Sequence, residues 1–597
     1  MKRSVRGDFA ADKRLILLSS IGIGIGVVCA LVAVLLLTMI SFFTNLFYFQ
    51  EFSLAARTPA GNDLGAAAIA IPAIGGLIIG LMARYGSEKI RGHGIPEALE
   101  AILFGKSILS PKVAVLKPLS SAISIGSGGP FGAEGPIIMT GGAFGSIIAQ
   151  AIRLTAAERK TLLVAGAAAG MSATFASPVA AVLLAVELLL FEWKPRSLVP
   201  VALASAVAAA VRPYLLGAGP LFPIPEQAPL GTAGLLASAA VGLLAGAFSA
   251  LLSTTLYKVE DAFGRAPIHW MWLPAIGGLV VGVGGYFEPR ALGVGYELIG
   301  DLLRGNLVPS VVVGLMLVKC AIWVVALASG TSGGVLAPLL IMGCALGVLE
   351  SGFLPGSSSL WPLVSMAATL GGMMRAPFTA VVFALELTHE VNALPPLLIA
   401  AVIAYAFTVL IMKRSILTEK VARRGYDLFR EYGVDPLERY RISDVMTRSV
   451  VTIPSSLPVR EVAEYFSGRH KHRGYPVIDA DQALLGVVTQ SNLLGSSPLE
   501  PMEDLTAQDL INADPIVVYT DETCREAAER MATAGVGRLP VLSPDDPKRV
   551  VGIISRSDLL KPRLLHHEEE RKYERYFGRR REARAAERAE PKILDAG

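Results

Sequence analysis

Charge is scarce in this chain: Asp, Glu, Lys and Arg make up 17% of its 597 residues, against 53% that are hydrophobic. Soluble domains carry about a quarter of their residues charged, so a soluble multidomain protein is excluded and a membrane protein is indicated. Cysteine is scarcer still. Cys29, Cys320, Cys344 and Cys524 show no paired spacing and three lie in apolar segments, which indicates neither a disulfide framework nor a metal site. The formal net charge of +4 is small for this length and speaks against a nucleic-acid partner. The zinc-protease pattern H-E-x-x-H is missing, since its nearest match, His389-Glu390-Val391-Asn392-Ala393, lacks the second histidine. His470, His472, His566 and His567 have no carboxylate or cysteine frame around them, and FGKS at 104–107 lacks the upstream glycines of a phosphate loop. Few acids cluster in the apolar part, which disfavours a divalent-cation transporter. The chain reads as a protein that is not an enzyme and requires no cofactor and no metal.

Long apolar runs are abundant. Residues 15–38 carry no charge and exceed the ~20 residues that cross a ~30 Å hydrocarbon core. A secretory signal has a shorter apolar stretch with a small-residue cleavage site, so this run reads as a retained first helix. Lys2, Arg3, Arg6, Lys13 and Arg14 precede it and a charged soluble third follows the last apolar run, which places both ends in the cytoplasm and makes the crossings even in number.

Two duplications organise the sequence. PVAAVLLAVEL (178–188) is echoed by PFTAVVFALEL (377–387), pairing Pro178 with Pro377 and Glu187 with Glu386, and GHGIPE (92–97) is echoed by GVGYE (293–297) at nearly the same offset. A duplicated unit of about two hundred residues with an odd number of crossings per half gives two inverted repeats, with the substrate site where they meet. The second duplication is soluble: residues 472–494 are echoed by 536–560, with Gly486 matching Gly552 and Asn492 matching Asp558. Each copy reads as an α/β module, an amphipathic helix followed by two β-rich runs. The expected layout is a tail (1–14), first membrane half (15–213), connecting loop (214–230), second half (231–424), linker (425–440), modules at 441–497 and 507–561, and a charged tail (562–597) with an exposed helix over 565–590.

Three glycine-proline clusters fall at expected helix starts: GHGIPE, GAEGP (132–136) and GGVLAP (333–338). A helix N-terminus offers free N–H groups and about half a positive charge, so several that converge make an anion site without a formal cation. Such a site binds weakly enough to release, as a buried lysine or arginine would not. Glu134 begins one of these helices; ionised, it can take the place of an anion, and protonated it can swing away, which makes it the candidate gate. The alternative is a capping glutamate on a solvated loop.

These three segments resemble the signature segments of the CLC chloride channel and transporter family over about residues 15–424, and the soluble pair resembles the cystathionine-β-synthase (CBS) modules that many members carry. The resemblance implies an α-helical polytopic membrane protein of broken helices with a cytoplasmic α/β CBS pair. It implies a homodimer with one anion pathway per subunit, in a bacterial inner membrane, chloride as the default ion with fluoride or nitrate as alternatives, Glu134 as gate, and anion contacts at His93, Gly94, Ile95, Gly132, Gly135, Val335, Leu336 and Leu417. Members usually have serine where His93 stands, an aromatic where Leu336 stands and tyrosine where Leu417 stands. Family exchangers commonly carry an inner acid where this chain has Leu188, which favours a channel or a loosely coupled transporter over a proton-coupled exchanger. Glu187 and Glu192 remain candidates to continue a proton path from Glu134, although the repeat of Glu187 at Glu386 favours a structural role between helices. In the CBS pair, nucleotide-binding members end their motif with Ser or Thr for phosphate and Asp for ribose. The second copy keeps Ser555 and Asp558 and the first has Thr489 but Asn492, so the resemblance allows an adenine nucleotide such as ATP at one site, and a module that only dimerises fits equally.

His93 offers a ring N–H in place of the serine hydroxyl, and its protonation would strengthen the site in acid; a neutral ring satisfied by a backbone carbonyl is the alternative. As a ligand, His93→Ala should weaken anion binding and abolish its strengthening at low pH, measured by titration calorimetry at acidic and neutral pH. Affinity that ignores both pH and the substitution leaves only the carbonyl-satisfied ring.

Overall fold

The computed structural model describes residues 13–152, 154–424, 435, 437, 440–467, 472–495, 505–511 and 514–564. Most of the expected linker, His470, His566, His567 and the charged tail beyond 564 lie outside the described residues. The chain divides into two units, Met1–Arg430 and Glu431–Gly597.

Among the described residues the first unit holds helices and isolated bridges but no strand. Its first half holds α1 (Arg14–Thr44), α2 (Ala70–Tyr85), α3 (Ile95–Leu103), α4 (Pro111–Gly126), α5 (Glu134–Ala151), α6 (Ala156–Phe175), α7 (Pro178–Leu184, continued as a π-turn over Ala185–Leu190) and α8 (Pro195–Leu216). The second half repeats the series as α9 (Thr232–Arg265), α10 (Leu273–Phe287), α11 (Tyr296–Arg304), α12 (Pro309–Ala328), α13 (Leu336–Ser351), α14 (Leu360–Met374), α15 (Pro377–Thr388) and α16 (Leu394–Ile411), and α17 (Ile416–Arg423) closes the unit. Prolines at the first turns of α4, α7, α8, α12 and α15 fit there because those N–H groups have no partner within the helix. The first half runs three residues past its expected end at 213, because the apolar run with Pro213 inside it continues as helix to Leu216. Among the described residues seven helices are long and apolar enough to cross a membrane, with shorter apolar helices such as Pro178–Leu190 and Leu336–Ser351 beside them. Broken helices enter a membrane without crossing it, so this count sets no parity.

The two halves meet through reciprocal contacts. A Cβ on Gly76 of α2 would strike the Pro274 carbonyl of α10, and one on Gly278 of α10 would strike the Pro72 carbonyl of α2. Gly75 faces the Ser127 hydroxyl as Gly277 faces that of Ser329. Every pair recurs 202 residues on. The same exchange joins α7 and α15. Glu187 accepts the N–H groups of Phe378 and Thr379 at 3.4 and 2.8 Å and the Thr379 hydroxyl at 2.5 Å, while Glu386 accepts those of Val179 and Ala180 at 2.9 and 2.8 Å. Each carboxylate near the end of one helix caps the start of the other, which requires the helices to run antiparallel about a local two-fold axis perpendicular to them. A two-fold axis perpendicular to membrane-crossing helices inverts one half relative to the other.

The second unit holds two three-stranded sheets of identical topology. After a short α18 (Ile442–Val445), the first copy has β1 (Ile453–Pro454), α19 (Val459–Ser467), β2 (Gly474–Ile478), β3 (Leu484–Thr489) and α20 (Gln490–Gly495); the second has β4 (Val518–Tyr519), α21 (Cys524–Ala534), β5 (Arg538–Leu542) and β6 (Val550–Ser555). In each, the middle strand pairs parallel with the first and antiparallel with the third, and the register shifts at the same place, Val477/Ile478 and Val541/Leu542. The copies exchange their leading segments: Ile442 and Val445 pack into the core of the second copy, Ala507 and Leu510 into that of the first.

Glu386→Ala leaves two amides of α7 unpaired in the membrane part, an expected loss of roughly 1–3 kcal/mol, with a similar loss in Glu187→Ala. Thermal melting in detergent reads both, and a wild-type melting temperature in either would remove the capping role. In the soluble unit, burial alone would raise the Asp558 carboxyl, but donors from Lys561 and Ser555 outweigh it and hold it below the usual aspartate range. A carboxyl depressed by folding stabilises the fold above its unfolded-state pKa and loses that contribution as pH falls through its folded value. The melting temperature of the soluble unit should therefore fall less on acidification in Asp558→Asn than in wild type; equal slopes would contradict the shift.

Candidate anion-binding site

Three chain breaks build the site. Helix α3 starts at Ile95 after Gly94, whose φ of +91° only glycine adopts without strain; α5 starts at Glu134 and α13 at Leu336. The segments before these helices are laced together. Gly132 and Gly334 exchange N–H to carbonyl bonds of 3.2 and 2.9 Å, and Gly92 donates to Thr331 at 3.2 Å while its carbonyl accepts from Gly333 at 3.4 Å. The approach is so close that a Cβ on Gly135 would strike the His93 carbonyl oxygen and sit 3.1 Å from the Gly334 Cα.

Glu134 lies fully buried at this junction. One carboxylate oxygen, Oε1, accepts the Ala337 N–H at 3.1 Å, in the first turn of α13; the other, Oε2, has no partner among the described residues. The side chain thus occupies a helix N-terminus in the manner of a bound anion, which makes the solvated-loop alternative untenable. The structure brings Gly132, Glu134, Gly135, Val335 and Leu336 together with His93, Gly94 and Ile95. Leu336 and Leu417 are buried side chains with no donor to offer, and Leu417 sits in α17, which packs against α3 and α14. The His93 side chain is buried, 1% exposed, and its Nδ1 has no hydrogen-bond partner among the described residues, so no described carbonyl satisfies that nitrogen.

The two other acids proposed for a proton path lie elsewhere. Glu187 is engaged with the start of α15, as described above. Glu192 pairs with Lys194 at 2.8 Å and Lys160 at 3.7 Å and accepts the Ser197 hydroxyl at 2.8 Å. Leu188 is fully buried.

Two expectations need correction. A site without formal cations is not what forms, because Lys117 and Lys319 are fully buried next to it. Lys117 Nζ donates to the carbonyls of Ile90 and Gly92 at 2.8 and 2.7 Å and to the Ser332 hydroxyl at 3.1 Å; Lys319 Nζ donates to the carbonyls of Ala291 and Gly293 at 2.7 and 3.3 Å. Each ammonium is hydrogen-bonded to the turn before α3 or α11, so its field reaches the site without its donors gripping an anion. Each stands as the lone charge of its apolar run, and 202 residues separate them, a signal as strong as the motif repeat. Acids also do cluster: Glu97, Glu100 and Glu260 line a cavity of about 590 Å³ beside the Gly92 turn. They come from α3 and α9 and meet cations of the α17 end, Arg424 with Glu97 at 2.8 Å and Glu100 at 2.5 Å, Lys420 with Glu260 at 3.1 Å. Sequence distance hid this cluster. Among the described residues no group of three or more His, Cys, Asp or Glu side chains is placed to hold a metal.

In the soluble unit, Thr489 and Ser555 end β3 and β6. The Thr489 N–H donates to Asn492 at 3.0 Å and its hydroxyl also bonds the Asn492 side chain; Ser555 donates to Asp558 through its N–H at 2.8 Å and its hydroxyl at 2.6 Å. Both pairs form the same local turn.

Known proteins match this architecture. The sequence model of the voltage gated chloride channel family matches residues 75–409, and that of the CBS domain matches 442–498 and 507–563. The putative chloride channel protein ClcB-like of Ralstonia nicotianae is 27% identical over 392 residues, which is 62% of this chain and 91% of that protein. The voltage-gated ClC-type chloride channel ClcB of Salmonella typhi is 31% identical over 345 residues, 56% of this chain and 82% of that one. Among solved structures, a slow cyanobacterial Cl⁻/H⁺ antiporter superposes with a TM-score of 0.61 at 19% identity, covering 70% of this chain and 99% of its own. A CLC-type fluoride/proton antiporter gives 0.60 at 21%, covering 68% and 98%, and a eukaryotic CLC transporter 0.57 at 20%, covering 91% and 98%. At these identities the structures share the fold. With more than half of its residues matched by the family's own sequence model, the chain belongs to the voltage-gated chloride channel (CLC) family.

Proposed function

We propose that this protein is a gated chloride channel in which Glu134 is the gate. The observation that carries the reading is the Glu134 carboxylate, fully buried and hydrogen-bonded to the Ala337 N–H at the start of α13. An acid that occupies an anion's seat blocks passage while ionised and bound; a competing anion or a proton displaces it. The orphaned His93 ring supports a side-chain contact to the ion where the family's serine is absent.

Passive conduction is favoured over proton exchange because free titratable stations beyond the gate are lacking among the described candidates. A proton crossing an apolar interior needs titratable stations, yet Leu188 offers none, Glu187 is held by three donors at the start of α15, and Glu192 is paired with lysines. The antiporter structures share the fold, which serves both modes and does not choose between them. Chloride is the ion proposed, after the ClcB relatives, and the protein would act as a homodimer in a bacterial inner membrane with its termini and CBS pair in the cytoplasm. Thr489, Asn492, Ser555 and Asp558 would meet an adenine nucleotide only after their turn hydrogen bonds open, so dimerisation is the primary role given to that unit.

Reconstitution into liposomes with a chloride gradient, following chloride efflux and external pH together, tests the reading. Wild type should release chloride without stoichiometric proton movement, and Glu134→Ala should conduct without its pH dependence. Uphill proton pumping that Glu134→Ala abolishes would make the protein an exchanger instead.

A further inference from the structure

The cavity of about 590 Å³ beside the Gly92 turn has a cation that the ion pairs of its wall leave out. The Arg91 side chain makes no hydrogen bond and no ion pair with another described residue, and its Nε is buried without a partner. Its guanidinium carbon lies 4.5 Å from the centroid of the Trp270 ring. On another side it rests against Gly330, which has a φ of +82° and where a Cβ would come within 2.7 Å of an Arg91 Nη. A guanidinium held by its face over an aromatic ring keeps its N–H donors free in its own plane. Glu97 and Glu100 of the same wall pair with Arg424 and Glu260 pairs with Lys420, while Glu88 and Glu260 attract Arg91 through space without forming an ion pair with it. Gly92 alone separates Arg91 from the His93 turn, so the cavity adjoins the break that starts α3.

We propose that Arg91 is a receiving station for small monovalent anions, which bind in the plane of the stacked guanidinium before they pass to the helix starts at His93–Ile95 and Glu134. The proposal rests on the chloride-transport reading above and adds a binding site to it. Trp270 and Gly330 position the guanidinium; Arg91 itself touches the ion. The site holds loosely, because water in the cavity weakens the attraction far below that of a dry cation. Its effect is to raise the local anion concentration at the pathway mouth. A loose site feeding a tighter one is what conduction requires.

Radiolabelled chloride exchange at equal chloride on both sides of proteoliposomes, with the full chain, tests this regardless of protein orientation. Arg91→Gln should raise the half-saturating chloride concentration about three- to tenfold while the maximal rate stays within about twofold of wild type. Arg91→Lys keeps the charge and loses the planar fork, so it should fall between the two and serves if Arg91→Gln folds poorly. Trp270→Leu should reproduce part of the shift, and Lys89→Gln, which removes an exposed and unstacked cation of the same wall, should not shift the curve. Half-saturation unchanged in Arg91→Gln and Arg91→Lys would overturn the proposal, as would an equal shift in Lys89→Gln, which would mean only diffuse charge. A wild-type protein that shows no saturable chloride exchange, with normal folding, would overturn the transport reading itself and this station with it.

Discussion

A peptide N–H at the start of a helix has no partner within that helix, and hydrocarbon supplies no water to take the place of one. Every helix that starts inside the membrane part of this protein must therefore find an acceptor. Two kinds are found. At α7 and α15 the acceptor is a carboxylate from the opposite half, Glu386 or Glu187. At the junction of α3, α5 and α13 it is Glu134, from the same half as α5, and in the proposed function the hydrogen bond it satisfies would become a seat for a passing anion once the side chain leaves.

Duplication makes this arrangement affordable in sequence terms. One solution to the buried-amide problem, repeated about a local two-fold axis, supplies both members of each reciprocal contact: Gly76 with Pro274 and Gly278 with Pro72, Glu187 with Thr379 and Glu386 with Ala180. The buried lysines obey the same rule, Lys117 binding the Ile90 and Gly92 carbonyls as Lys319 binds those of Ala291 and Gly293. The symmetry ends at the ion. Glu134 has no acid at the equivalent place in the second half, where Leu336 starts α13, and α17 has no counterpart in the first half. A duplicated scaffold thus carries one unique acid at its junction, the residue to which the proposed function gives the gate.

What could be read in the sequence follows from the range of the interactions involved. The helix starts at Ile95, Glu134 and Leu336 are legible because glycine and proline act locally, through φ and the missing N–H. The Glu187 and Glu386 pairing is legible because the repeat displays it. Lys117 and Lys319 are as visible by their spacing, but the rule that buried cations hold anions too tightly neglects that an ammonium engaged with carbonyls contributes its field and withholds its donors. The ionic wall made by Glu97, Glu100 and Glu260 with Lys420 and Arg424 was not legible at all, since it joins α3, α9 and α17 across more than three hundred residues. Arg91 reads in sequence as an ordinary loop cation, and only the ring of Trp270 beneath it sets it apart.

The contrast between a staple and a gate comes down to how many donors each carboxylate holds. Glu187 accepts three hydrogen bonds and Glu386 two, with both oxygens of each engaged. Releasing either would strand several donors at a helix start, and each stranded buried group costs about 1–3 kcal/mol. Glu134 accepts from Ala337 with one oxygen and leaves the other without a partner. Its departure would strand one amide, which under the proposed function an incoming anion would satisfy. The same chemistry, a carboxylate on a helix N-terminus, is thus held by several donors at two positions and by one at a third, which is the difference the proposed gating role would use.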